Sequence, residues 1–345
     1  MRYAMRSLLL ASACLATACL GCGPAKPRIN GGGSTFVYPM MSKWSSEYDK
    51  AKSVEVNYQS IGSGGGIQQM TAKTFDFGCT DGPMNDEQLK KAQDTGGEVV
   101  HIPLVMGAVV PAYNLAEVKE PLVFSGPVLA DIYLGQIKKW DDKAIQDLNP
   151  GVKLPSQDIG VVHRSDGSGT TYIWVDYLSK VSEDWKKKVG VGTSVDWPLG
   201  EGAKGNEAVA GRVKETPGAI GYIELIYALQ SDIKFGKVKN KAGETITADL
   251  KSVTAAGENS LKNIPDDLRY SITDADGKDS YPIAGTTWAV IYVNQPAGTG
   301  QQVVDFLRWC THDGQQFCDE LKYAKLPKGL VERVEKKLDS VKVAK

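Results

Sequence analysis

Strand-like and helix-like hydrophobic patterns take turns along this chain. Val54, Val56 and Tyr58 alternate with polar residues, the period-two signature of a half-buried strand. Val99–Val110, Ile159–Val162 and Trp288–Val293 are nearly continuous apolar runs, which predict strands covered on both faces. Between them lie stripes at three- and four-residue spacing. Val37, Met41, Trp44 and Tyr48 predict one helix. Ile173 and Tyr177, with Trp174, Leu178 and Val181 beside them, predict a second, and Leu330, Val334, Leu338 and Val341 a third at the C-terminus. The stretch 232–278 is polar and irregular and predicts loops with one short helix. Short strands alternating with helices give an α/β class, with no internal repeat and no heptad array.

Composition narrows the picture. A chain of 345 residues is long for one core and comfortable for two lobes. With 40 basic and 41 acidic residues, it has neither the basic surface of a nucleic-acid binder nor a polyanionic tail. The N-terminus differs from the rest. Arg2 and Arg6 precede the apolar run Leu8–Leu20, and small residues lead into Gly21-Cys22-Gly23. That order describes an export signal, and the apolar run is short for a membrane-spanning helix. The Gly-Cys pair resembles a bacterial lipobox, with Cys22 as the lipidated residue and Cys19 as the alternative. Cleavage there removes two arginines and no acid, taking the formal charge from −1 to −3. Export permits disulfides, and Cys310 and Cys318 flank a Thr-His-Asp-Gly break that can turn the chain back into a bridge. On one continuous helix, eight residues would hold them ~12 Å apart, too far to bond. Cys79, in an apolar segment, reads as a small core residue.

Three segments share one design, a Gly/Ser/Thr-rich turn leading into a helix pattern. They are Gly31–Phe36, Gly62–Gly66 and Asp166–Thr170. A helix N-terminus carries unpaired N–H groups and partial positive charge, glycine lets an anion approach the backbone, and hydroxyls add donors. Any one such turn is commonly a simple cap; together they make an oxyanion site only if the fold brings them to one place. Arg164 ends an apolar run just before the third turn, where α/β proteins put ligands. Asp81 ends another short apolar segment and reads either as a turn cap or as a pocket acceptor.

In these residues the chain resembles the phosphate-binding subunit of bacterial high-affinity phosphate ABC importers. The likeness spans about Ile29 to Val334. It is carried by Gly-Gly-Gly-Ser-Thr-Phe at 31–36, Val-Asn-Tyr-Gln-Ser-Ile-Gly-Ser-Gly-Gly-Gly at 56–66 and Asp-Phe-Gly-Cys-Thr-Asp-Gly-Pro at 76–83. Ile-Tyr-Leu-Gly-Gln-Ile-Lys-Lys-Trp-Asp-Asp at 132–142, His-Arg-Ser-Asp-Gly-Ser-Gly-Thr-Thr at 163–171 and Pro-Gly-Ala-Ile-Gly-Tyr at 217–222 follow in order. The resemblance implies a two-lobed type II periplasmic binding protein fold with the ligand cleft between lobes. It divides the chain into a signal peptide (1–21), an anchor linker (22–28), a first lobe (29–105), a second lobe (106–282) and the return of the first lobe (283–345). It implies a phosphate pocket of Thr35, Phe36, Ser63, Asp81, Arg164, Ser168, Gly169 and Thr170, with Asp166 as the salt partner of Arg164. It implies a monomer on the outer face of the cytoplasmic membrane or in the periplasm, held by its lipid alone and serving permease subunits with a cytoplasmic ATPase. No cofactor, metal, nucleic acid or catalysis is expected. Gly64, Cys79 and His163 depart from the family's usual residues without removing a named donor.

Asp81 is the element that selects phosphate. Phosphate keeps a proton near neutral pH and can donate it to a carboxylate; sulfate has none and would set acceptor against acceptor. The rival readings fare worse. Neither Ser63 nor Ser168 sits in a G-x-S-x-G elbow, and His101, His163 and His312 have no recognisable catalytic partner. Gly202-Ala203-Lys204-Gly205 lacks the Lys-Ser/Thr ending of a phosphate loop, and no zinc or calcium spacing is present. A sensor or surface protein on the same fold, or a binder of another tetrahedral oxyanion, remains the alternative to transport.

Overall fold

The computed structural model describes residues 26–345. The expected signal peptide and the candidate lipidation residues, Cys22 and its alternative Cys19, lie outside the described residues. The chain opens with β1 (Arg28–Gly33), α1 (Tyr38–Lys52), β2 (Glu55–Ser60), α2 (Ser63–Thr71), β3 (Phe77–Thr80) and α3 (Asp86–Gly96). The long strand β4 (Val99–Tyr113) follows. Next come β5 (Val123–Phe124), α4 (Gly126–Tyr133), α5 (Lys143–Leu148), β6 (Gly160–Arg164), α6 (Gly169–Val181), α7 (Glu183–Lys188), β7 (Glu201–Ala203), α8 (Gly205–Glu215), β8 (Ala219–Glu224) and α9 (Leu225–Gln230). The short strands β9 (Lys234–Phe235), β10 (Lys237–Lys239) and β11 (Thr245–Ile246) precede α10 (Leu250–Ser260). The chain ends with β12 (Ala284–Tyr292), β13 (Asn294–Gln295), α11 (Thr299–Thr311), α12 (Lys328–Asp339) and β14 (Lys342–Val343).

One mixed sheet runs through both lobes in the order β2-β1-β3-β12-β4-β8-β6-β7, with β9 also on β4. The lobes share β4. Its first ten residues pair antiparallel with β12, and Val109–Tyr113 pair antiparallel with β8. Within each lobe β1 runs parallel to β2 and β3, and β6 parallel to β7 and β8. A strand buried along nearly its whole length, as β4 is, needs apolar side chains on both faces, which explains the unbroken run. The helices cover the sheet with the faces their stripes predict. Met41, Trp44 and Tyr48 of α1, Ile173, Trp174, Tyr177 and Leu178 of α6, and Leu330, Val334 and Leu338 of α12 are all buried.

Several elements depart from the expectation. Gly31–Gly33 form the end of β1 rather than a turn, because Phe75 and Phe77 pack where side chains at Gly31 and Gly32 would be. Residues 232–278 hold three short strands besides the helix α10, which a capping box at Asp249 and Ser252 starts. Val341 lies beyond α12, where the chain straightens to pair β14 with β13. The possible bridge between Cys310 and Cys318 is not formed. Both are free buried thiols, as is Cys79: Cys310 closes the last turn of α11, and Cys318 follows a separate 3-10 turn. Between them Gln315 donates to the Cys310 carbonyl at 2.7 Å and the Leu104 carbonyl at 2.9 Å, tying the turn to β4.

Candidate functional site

The fold brings the three glycine-rich segments together where the lobes face each other. The connection from β1 to α1 supplies Ser34, Thr35 and Phe36. The start of α2 supplies Ser63, with Gly64–Gly66 in its first turn rather than in a preceding loop. The start of α6 supplies Gly169 and Thr170, with Ser168 as the N-cap accepting the Thr171 N–H at 3.0 Å. Two contacts join the segments across the cleft: Ser63 Oγ accepts the Gly169 N–H at 3.0 Å, and the Gly167 carbonyl accepts the Gly64 N–H at 2.9 Å. Gly62 holds a left-handed φ of 85°, and Asp166 packs where its side chain would be.

Helix starts leave N–H groups that the helix cannot pair. Here the N–H groups of Thr35, Phe36, Ser63 and Thr170 have no protein acceptor among the described residues. Phe36 therefore offers its main chain to the cleft while its ring is fully buried and its carbonyl accepts from Tyr323 at 2.5 Å.

Asp81 sits among these donors, 2% exposed. Its Oδ1 accepts from Ser34 Oγ and Thr287 Oγ1, each at 2.6 Å. Its Oδ2 accepts from Ser34 Oγ at 2.7 Å and Ser63 Oγ at 3.4 Å. Burial pushes the Asp81 carboxyl up to about 6, against the hydrogen bonds of Ser34, Thr287 and Ser63 and the charge of Arg164. The side chain of Arg164 is 1% exposed. Its Nε and Nη2 donate to the two oxygens of Asp166 at 2.8 and 2.6 Å, a bidentate pair, and Nη1 reaches Thr170 Oγ1 at 3.4 Å. Burial alone would raise Asp166, but the Arg164 fork and the Gly205 N–H hold its carboxyl below the usual range. With one arginine against two carboxylates, no surplus positive charge exists here. N–H and O–H dipoles, beside the Arg164 guanidinium, must therefore supply much of the hold on an anion.

All nine residues expected from the sequence thus lie in one place. Three others belong to the same constellation. Ser34 and Thr287 hold Asp81. Asn206, at the start of α8, donates through Nδ2 to Thr35 Oγ1 at 2.8 Å and to Thr170 Oγ1 at 3.0 Å. Ser34 lies inside the Gly31–Phe36 segment, where nothing local sets the direction of its hydroxyl. Thr287 sits in an apolar strand with no local signal. Asn206 follows Gly205 at a helix start, which is a weak one. No group of three or more His, Cys, Asp or Glu among the described residues is arranged to hold a metal.

Residues 22–313 match the model of the PBP superfamily domain. The chain is 45% identical over 311 residues to the phosphate-binding protein PstS of Xylella fastidiosa (strain Temecula1), covering 89% of this chain and 84% of that one. It is 36% identical over 328 residues to the phosphate-binding protein PstS of Methanocaldococcus jannaschii, covering 86% and 84%. Among solved structures, a high affinity periplasmic phosphate-binding protein bound with phosphate superposes with a TM-score of 0.72 at 22% identity, over 90% of this chain and 93% of that one. The phosphate-binding protein from Stenotrophomonas maltophilia gives 0.67 at 20% identity, over 90% and 94%. These two likenesses establish the fold.

Proposed function

This chain belongs to the phosphate-binding protein PstS family of the PBP superfamily, and on that premise we propose that it captures inorganic phosphate outside the cytoplasmic membrane and delivers it to an ABC importer. One observation carries the choice of ligand. A cleft lined by N–H and O–H donors also contains a well-buried acceptor, Asp81, whose Oδ1 is filled by hydroxyl donors. Its Oδ2 faces the start of α6, where a substituent on Gly169 would come within 2.5 Å of it. A fully deprotonated oxyanion meets a like charge and a second acceptor at that point. An anion that keeps a proton finds a partner for it.

In this reading the pocket is Thr35, Phe36, Ser63, Asp81, Arg164, Ser168, Gly169 and Thr170, with Asp166 fixing the Arg164 fork. The two lobes divide at about 105 and 283. An anion touched by donors from both lobes favours the closed arrangement, and the permease distinguishes closed from open. The protein releases its ligand unchanged; it is not an enzyme. It acts as a monomer held at the membrane by a lipid on Cys22, a reading supported by the N-terminal sequence. No helix among the described residues is long and apolar enough to cross a membrane. Replacing Cys22→Ala should release the protein into the soluble fraction; retention on the membrane would refute lipidation at that residue.

The test of function is competition calorimetry on protein stripped of ligand by unfolding and refolding. Phosphate should bind, arsenate should compete because it carries a similar proton, and sulfate should not. Sulfate binding as tightly as phosphate would overturn the reading.

A further inference from the structure

We infer that Asn206 is a positioning residue that forces the hydroxyls of Thr35 and Thr170 to act as hydrogen-bond donors toward the bound anion. The inference rests on the anion-binding reading of this cleft and deepens it.

A hydroxyl can donate one hydrogen bond and accept two, and its hydrogen turns to suit its neighbours. A threonine beside an anion is therefore useful only if something occupies its acceptor positions. Asn206 does this for two threonines in different lobes at once. Thr35 Oγ1 accepts from Asn206 Nδ2 at 2.8 Å and from the Asn206 N–H at 3.3 Å. Thr170 Oγ1 accepts from Asn206 Nδ2 at 3.0 Å and from Arg164 Nη1 at 3.4 Å. Both oxygens have spent their acceptor capacity. Neither donates to any protein acceptor among the described residues, so the one capacity left to each is its O–H.

The amide's own orientation is settled by a third contact. Asn206 Oδ1 accepts the Glu224 N–H at 2.9 Å, so the oxygen faces β8 and the NH₂ faces the two threonines. All the partners are buried: Asn206, Glu224 and Thr170 are 0% exposed and Thr35 is 4%. Flipping the amide would leave the Glu224 N–H facing an NH₂ group, and a buried unpaired donor is strongly disfavoured. The backbone of β8 thus sets the amide, and the amide sets the two hydroxyls. Ser34, Ser63 and Thr287 point the other way, donating to Asp81. The cleft is polarised so that one wall donates while Asp81 accepts.

A double-mutant cycle tests this. Asn206→Leu removes the Nδ2 contacts to both threonines at similar volume, leaving only the 3.3 Å main-chain contact to Thr35, and Thr35→Val/Thr170→Val removes both hydroxyls. Measured by phosphate titration calorimetry, Asn206→Leu should weaken binding by roughly 10- to 30-fold, the value of two misdirected neutral hydrogen bonds. On the Thr35→Val/Thr170→Val background the same change should cost less than about threefold, because Asn206 then has no hydroxyl to direct. Equal losses on both backgrounds, or no loss on the first, would overturn the inference. A wild type that binds no phosphate would overturn the functional reading along with it; a binding wild type with an additive cycle overturns the role of Asn206 alone. Should Asn206→Leu not fold, as circular dichroism will show, Asn206→Asp replaces it in the same cycle. It keeps the acceptor for Glu224 but turns the NH₂ into a second acceptor that captures both hydroxyls. Its loss should again be smaller on the valine background, and equal losses would again refute the role.

Discussion

Asp81→Asn exchanges one atom and should change which anion the cleft prefers. Asp81 Oδ1 holds two short donors, Ser34 and Thr287, each at 2.6 Å. The asparagine oxygen will keep that position, because Thr287 donates there at 2.6 Å, whereas Oδ2 holds a share of the same Ser34 hydroxyl at 2.7 Å and only a long contact from Ser63 at 3.4 Å. The NH₂ then takes the place of Oδ2, the atom facing the start of α6. An acceptor in the cleft becomes a donor. Sulfate, which meets an unpaired and like-charged oxygen in the wild type, gains ~1–3 kcal/mol by relief of that opposition. Protonated phosphate loses a hydrogen bond to a charged group, ~1.5–3 kcal/mol. The preference for phosphate over sulfate should therefore fall by ~2.5–6 kcal/mol, or about two to four decades. The ratio is the diagnostic. Removing a negative charge also favours every anion, so either affinity alone is ambiguous. Titration calorimetry with both anions on wild type and Asp81→Asn measures it. A ratio unchanged within about threefold would refute the selective role of Asp81.

Arg164→Ala removes the buried guanidinium beside Thr170 and Asp166, and phosphate affinity should fall roughly 10- to 150-fold by calorimetry; wild-type affinity would place Arg164 outside the pocket. Gly169→Ala puts a methyl group 2.5 Å from the Asp81 N–H, Asp81 Oδ2 and Ser63 Oγ across the cleft, so the lobes cannot shut. Affinity should drop at least about tenfold, and solution scattering should show no contraction on adding phosphate. Stability against pH separates two buried groups of opposite sign. Burial holds His101 down to about 3, with Nε2 accepting the Met84 N–H at 3.1 Å. The unfolded chain therefore binds this proton first, and stability is lost by ~1.4 kcal/mol per pH unit as pH falls below its unfolded value of about 6.5. Asp81 is raised to about 6, so the folded chain binds its proton first and stability falls as pH rises from about 4 to 6. Relative to wild type in denaturant titrations across that window, His101→Gln should flatten the acid loss and Asp81→Asn should steepen it. Parallel curves would mean that neither group is shifted.

What could be read from the sequence divides along a physical line. The helix stripes of α1, α6 and α12 and the long strand β4 were legible because burial on one or both faces writes itself into consecutive side chains. The glycines of β1 misled for the converse reason: a strand whose neighbours fill its side-chain space has no side chains to show. The short strands β5, β9, β10 and β11 are two or three residues long and have no period to detect. The same division runs through the cleft. A helix start with glycine and hydroxyls is a local object, so three oxyanion cradles appeared as three short words. The direction of a hydroxyl is not local. Ser34 is turned to Asp81 from 47 residues away, and Thr287 from 206. Thr35 is turned by Asn206 from 171 residues away. Affinity for an oxyanion class therefore resides in segments that would keep it in many folds. The choice of one oxyanion depends on polarity set by residues that only this fold brings together. Substitutions at Ser34 and Thr287, which hold Asp81 and need not touch the ligand, should thus alter selectivity more than the capacity to hold an anion, whereas Asn206, which directs donors that any oxyanion can use, should alter that capacity.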